Sequence, residues 1–164
     1  MPRLINGRSS YSDDRGTVLQ AQHAETSAQY SLTAQQTYEA LGANVTLVSK
    51  GRNSKFLLFG HAHMYGSNSG SNRMNLGFSV VIGGSETRIL GTDGGSGDSW
   101  ANEQDNASGQ NGDRCYMHTV TAAPGTSMTF KLLAASWDNS GSHARFNYTG
   151  YAFKSILEVL EIAT

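Results

Sequence analysis

The chain has 164 residues, a net charge of -1 and only 15% charged residues, with 19 Gly and 2 Pro. This length fits one domain with a core that needs no covalent staple. The near-neutral charge offers no basic field for nucleic acid or an anionic membrane, and the single Cys115 excludes an internal disulfide and a cysteine-rich metal site. The start, Met1 to Gly7, has no long apolar run, so no signal peptide is expected. No stretch approaches the roughly 20 apolar residues of a membrane helix, so no membrane insertion is expected either.

Residues Met1–Arg15 are polar without strand alternation and read as an N-terminal arm, which leaves 16–164 as the folded domain. Thr17–Gln22 and Gln29–Leu32 are candidate pieces of a first long strand, and Tyr38–Leu41 and Val45–Lys50 follow. Glu25–Leu41 has Ala and Gln but too many Ser, Thr and Tyr for a helix, and reads as strands and a turn. Gly51-Arg-Asn-Ser54 is a turn before a strong strand, Phe56–Tyr65. Met74, Leu76, Phe78, Val80 and Ile82 then alternate with Asn75, Gly77 and Ser79, the period of a half-buried strand. Gly83-Gly84-Ser85 turns the chain into Thr87–Leu90. Arg114–Thr121 and Met128–Trp137 flank an Ala-Ala-Pro-Gly-Thr turn, and Arg145–Tyr148 and Ser155–Ile162 complete the set. Gly66–Asn72 and the 22-residue stretch Gly91–Gly112 read as surface loops, the second long enough to suggest a function of its own. Short strands at this spacing point to an all-β, antiparallel two-sheet sandwich or jelly roll. The expected core is Phe56, Leu58, Met74, Leu76, Phe78, Val80, Ile82, Phe130 and Leu132.

The last strand is the most informative. Ile156, Glu158, Leu160 and Ile162 share one face, and Leu157, Val159 and Glu161 share the other. Apolar groups on both faces mean that both are covered, which places the strand inside a sheet with one face on the core and the other on a partner. Ile156, Leu157, Val159, Leu160 and Ile162 are therefore the candidate oligomer interface. Near the axis of a cyclic oligomer an acidic residue would meet its own copies, so whichever of Glu158 and Glu161 faces that axis is expected to be hydrogen-bonded or to hold a raised pKa.

Catalytic signatures are missing: no nucleophile elbow, dinucleotide fingerprint or phosphate loop is present, so no cofactor is expected and the chain is not expected to be an enzyme. Glu158 and Glu161 lie on opposite faces of one strand and cannot flank a glycosidic bond. Cys115 reads as a buried thiol in a strand. His61 and His63 leave the same face of a strand and either share a metal with further ligands or line a subunit contact or a solvated face. Asp93, Asp98, Glu103, Asp105 and Asp113 form an acidic loop that matches no calcium motif. Tyr65 and Trp100, at loop tips, either stack on a sugar or partner or pack their loops onto the domain.

The order of segments carries a resemblance. A Thr-Val-Leu-Gln opening strand is followed by Asn44-Val-Thr-Leu-Val-Ser-Lys50 and Ser54-Lys-Phe-Leu-Leu58. An Ala-Pro-Gly-Thr turn leads into Thr129-Phe-Lys131, and a Tyr-x-Gly-Tyr stretch precedes Leu157-Glu-Val-Leu-Glu-Ile-Ala163. Over residues 16–164 this resembles the small jelly-roll virion structural proteins of tailed bacteriophages, cyanophage-like tail, fibre or decoration proteins. More remotely it resembles complement and tumour-necrosis-factor-like trimers. The resemblance implies a homotrimer assembled in the host cytoplasm and built into the virion, with other virion proteins of tail or capsid as partners. It brings no catalytic or cofactor residues. Within it, a tail fibre or receptor-binding tip that meets a host-surface glycan is the first expectation. A capsid decoration (cement) protein is the alternative, and a free carbohydrate-binding β-sandwich is the rival from another class.

Overall fold

The alternating segments form strands throughout. A computed structural model of the chain describes residues 16–32, 37–66, 72–90, 102–104, 110–136, 144–147 and 152–164, and among them there are eleven strands and no helix. The strands are β1 (Val18–Thr26), β2 (Tyr30–Ser31), β3 (Glu39–Val48), β4 (Lys55–Gly66), β5 (Asn72–Ile82) and β6 (Ser85–Leu90), then β7 (Asn102–Gln104), β8 (Gln110–Thr119), β9 (Ser127–Ser136), β10 (Ala144–Phe146) and β11 (Ser155–Ile162).

Their pairing is nested. β1 pairs with β11, β3 with β9, β4 with β8 and β5 with β6, all antiparallel. The chain is thus doubled back on itself as one long hairpin and rolled up, which is the definition of a jelly roll. Rolling yields two sheets. One runs β1-β11-β4-β10-β2 with β8 on the other edge of β4; the second runs β3-β9-β5-β6 with β7 also on β5.

The core lies between the sheets. Phe56, Leu58, Leu76, Phe78, Val80, Phe130 and Leu132 are buried there, as the alternation requires, and Ile82 packs partly buried against them. The Met74 side chain lies outside the described residues. Phe56 and Phe130 meet across the sandwich with ring centroids 5.0 Å apart and planes tilted by 39°, a favourable aromatic geometry. Gly60 marks the closest approach of the sheets: a Cβ there would stand 2.5 Å from Leu132 Cδ1 and 2.9 Å from Phe78 Cε1.

Several local expectations are corrected. Gln29–Leu32 does not continue the first strand; Tyr30–Ser31 pairs with β10 instead. Tyr38–Leu41 and Val45–Lys50 belong to one strand interrupted by a bulge between Ala40 and Asn44, which Gly42 makes possible at φ 89°. The stretch Gly91–Gly112 is not all loop, since Asn102–Gln104 pairs with β5 and β8 begins at Gln110. The arm, residues 1–15, lies outside the described residues. The Gly83-Gly84 turn is as expected, with both residues at positive φ, 58° and 85°.

Candidate self-association surface

Strand period and register decide which side chains leave the outer face of the six-stranded sheet. β11 lies between β1 and β4, and β8 flanks β4 on its other edge, so four strands stand side by side. Cross-strand partners then form rows. One row is Ala21–Leu160–Leu57–Met117, apolar from end to end. The rows beside it are His23–Glu158–Phe59–Cys115 and Val18–Ile162–Lys55–Thr119, and beyond the first of these runs Glu25–Ile156–His61–Asp113. Met117 is 50% exposed, Val18 49% and Phe59 38%, while Leu57, Ile156, Leu160 and Ile162 are half-buried. Contiguous apolar surface of this kind marks an interaction site on a protein.

The candidate interface residues of β11 divide between the two faces. Leu157 and Val159 are completely buried in their own sandwich, so they are unavailable to a partner. Ile156, Leu160 and Ile162 remain on the outer face. Phe59, Met117 and Leu57 join them and were missed in the sequence. The signal was there: Phe56-Leu-Leu-Phe59 is an apolar run that fills both faces of a strand, as β11 does. Cys115 is another correction. It is exposed, because β8 is an edge strand and its register sets Cys115 opposite Phe59 on the outer face.

The polar rim of the surface has its own geometry. His61 Nδ1 lies 2.6 Å from Asp113 Oδ1. Phe59, His61, Asp113, Cys115, Ile156 and Glu158 border an open depression of about 440 Å³. The imidazole Nδ1 is bonded to the carboxylate, and Cys115 is a free, exposed thiol bordering the same depression. His63 shares the His61 face but is covered: its ring stacks on Phe153 with centroids 3.6 Å apart. Burial, and secondarily the charge on His61, pushes the His63 imidazole below its ordinary value, which disfavours a cationic His63. Among the described residues no group of three or more His, Cys, Asp or Glu is placed to hold a metal ion. Asp113 belongs to β8 and Glu103 to β7 rather than to an acidic loop, and Asp93, Asp98 and Asp105 lie outside the described residues. So do Trp100 and the side chain of Tyr65.

Glu158 is exposed on the outer face and Glu161 is fully buried on the inner one, so the two carboxylates cannot serve one cleft. Glu161 accepts hydrogen bonds from the backbone N–H groups of Lys50 (2.9 Å) and Gly51 (3.0 Å), from Ser54 Oγ (2.6 Å) and Ser49 Oγ (3.2 Å), and from Gln20 Nε2. Burial alone raises this carboxyl. The bonds from Ser54, Gly51, Gln20 and Lys50 outweigh it and hold the group below its ordinary value.

No family model matches the chain, and no curated protein matches it. Solved structures do. The capsid of infectious bursal disease virus, Gx strain, is similar over 87% of this chain with 14% identity and a TM-score of 0.44, and the match spans 32% of the viral chain. The tumour-necrosis factor Eiger from S. frugiperda is similar over 87% of this chain and 92% of its own, with 10% identity and a TM-score of 0.44. The globular domain of zebrafish complement 1qA is similar over 89% of this chain and 96% of its own, with 8% identity and a TM-score of 0.41. Likeness at this level concerns the fold alone.

Proposed function

We propose that this chain is a structural protein of a bacteriophage virion, tail-associated and not an enzyme, that works as a homotrimer joined through the outer face of its six-stranded sheet. The observation that carries the reading is the apolar row Ala21–Leu160–Leu57–Met117 with Phe59 beside it. Left in water, such a row costs about 25 cal/mol for each Å² of apolar surface that a neighbour would otherwise cover. A second copy covers it with the same chemistry, and closed cyclic symmetry leaves no unpaired patch. Three copies and the bacteriophage particle come from the sequence resemblance, and the tail position from the long aromatic-bearing loops of the sequence, which suit recognition. The non-catalytic part of the reading rests on the absence of a catalytic signature in the sequence.

Mass photometry at micromolar concentration tests the oligomer: three copies are expected, and a well-folded monomer overturns it. Imaging of particles carrying the labelled protein tests the position. Label at the tail is expected, and label over the shell replaces the tail reading with capsid decoration. Binding on a glycan array by free protein that labels no particle replaces both with a carbohydrate-binding module.

A further inference from the structure

Three connections meet at one end of the sandwich. The β3–β4 loop, Ser49 to Ser54, crosses from one sheet to the other. It is bonded to the β8–β9 turn, with Ser49 N–H donating to Thr126 O (2.9 Å), Gly125 N–H to Ser49 O (2.8 Å) and Val120 N–H to Ser54 O (3.1 Å). Beside it the end of β11 runs against the start of β1, Ala163 N–H donating to Thr17 O (2.9 Å). Glu161 sits where these parts converge and is 0% exposed.

The groups around this carboxylate are donors. Two backbone N–H groups cannot reverse their polarity, and the Gln20 amide could present its oxygen only by rotating its nitrogen away from Glu161. The Gln20 amide is already shared, since its nitrogen also donates to Val48 O (2.7 Å). Ser49 Oγ divides its single proton between Gly51 O (2.8 Å) and Glu161 (3.2 Å). A protonated Glu161 would add another O–H to this ring of donors; the two serine hydroxyls have a lone pair to offer it, and Gln20 could offer its oxygen only by giving up its bond to Val48 O. The ionised form serves all these donors with charge-assisted bonds; the neutral form accepts more weakly and turns one oxygen into a further donor, which weakens the bonds from Lys50, Gly51 and Ser54.

We infer that Glu161 is an acid-sensitive clasp, which closes this end of the sandwich when ionised and frees the 49–54 loop when protonated. The other charged groups nearby do not substitute for it. Lys50, Arg52 and Lys55 are exposed, and His118 stands two strands away in the same inward row, beyond Phe56. Inward positions on the facing strands β3 and β9 are Val45, Leu47, Met128 and Phe130, none charged. Because the carboxyl lies below its unfolded value of 4.5, the clasp contributes fully above that pH and is lost as pH falls through the lower folded value. The switch therefore works below pH 4.5 and is silent at neutral pH.

Hydrogen exchange of the Lys50 and Gly51 amides, corrected for the intrinsic pH dependence, reads the clasp directly. In Glu161→Gln at neutral pH their protection is expected to fall at least about tenfold, the equivalent of one lost charge-assisted bond. The unmodified chain should lose it in the same way on acidification, while the Phe78 amide in the core stays protected. Retained protection in a folded Glu161→Gln overturns the inference. Should that variant not fold, Ser54→Ala decides: removing one donor raises the carboxyl, so the midpoint of acid release moves to higher pH. A midpoint that stays in place overturns the inference.

Discussion

The outer faces of the two sheets are built on opposite terms. On the five-stranded sheet the side chains satisfy one another. Thr46 and Thr129 share a hydroxyl bond of 2.9 Å, Lys131 pairs with Glu86 at 2.7 Å, Ser79 donates to Glu86, and the Arg88 guanidinium lies over the Tyr38 ring at 5.5 Å. Of the apolar residues on that side, Leu133 and Ala135 are buried with Tyr38 in a small cluster of their own, and Val48, at the end of β3, is 46% exposed. On the six-stranded sheet the central row is aliphatic and thioether, and Met117 within it and Phe59 in the row beside it stay exposed. One face is finished against water largely by its own polar side chains. The other leaves apolar groups exposed, and on the proposed reading the difference puts assembly on that side of the domain.

The contrast is broken most severely at β11. Leu157→Asp places an unpaired charge in the core, where a penalty above about 4 kcal/mol consumes most of a stability of order 5–15 kcal/mol. Loss of cooperative unfolding in calorimetry is expected. Three residues along, Leu160→Asp sits on the outer face and is expected to give a folded protein of one-third the mass by sedimentation. If both variants behave alike, the two faces of β11 are not distinct.

A milder test removes the exposed apolar groups without adding charge. Phe59→Ser combined with Met117→Ser is expected to weaken the oligomer by two or more decades in dissociation constant, measured by mass photometry across dilutions. Thr46→Ala with Lys131→Ala, on the other sheet, should leave the mass unchanged. Equal effects on the two faces would remove the case for one-sided assembly.

The smallest effect concerns the polar face itself. The hydrogen bond from Lys131, then that from Ser79, holds the Glu86 carboxyl below its ordinary value of 4.5. Its contribution is present above 4.5 and fades as pH falls through the folded value. The group is largely solvated, so Glu86→Gln should cost less than about 1 kcal/mol at neutral pH in denaturant titration and flatten the acid limb only slightly. A cost several times larger would mean that this face is also buried by a neighbour.

Much of the fold was legible because strand alternation is local. The rows Phe56–Leu58 and Leu76–Phe78–Val80 could be assigned to a core from their period alone, and the division of β11 into two faces follows from the same rule. The surface was legible only in part. Ile156, Leu160 and Ile162 were visible as a second apolar row, but nothing local says whether Leu157 or Leu160 is the inner one. Phe59, Met117 and Cys115 join the surface through the β4–β8 register, a relation between residues some 60 positions apart in sequence. The bulge at Gly42 and the pairing of Tyr30 with β10 are likewise consequences of where partners lie.

By itself the sequence determined that the chain is built of strands, which residues alternate, that the last strand carries apolar groups on both faces, and that Glu158 and Glu161 point apart. These are properties of a pleated backbone with period two, and they need no knowledge of neighbours. The tertiary structure decided which face of each strand turns inward, which strands lie together to make one continuous apolar row, and that Glu161 is the glutamate enclosed by donors from β1 and the β3–β4 loop. A row, an edge and a ring of donors exist only once segments distant in the chain are brought together, because each is made of contributions that no single strand carries.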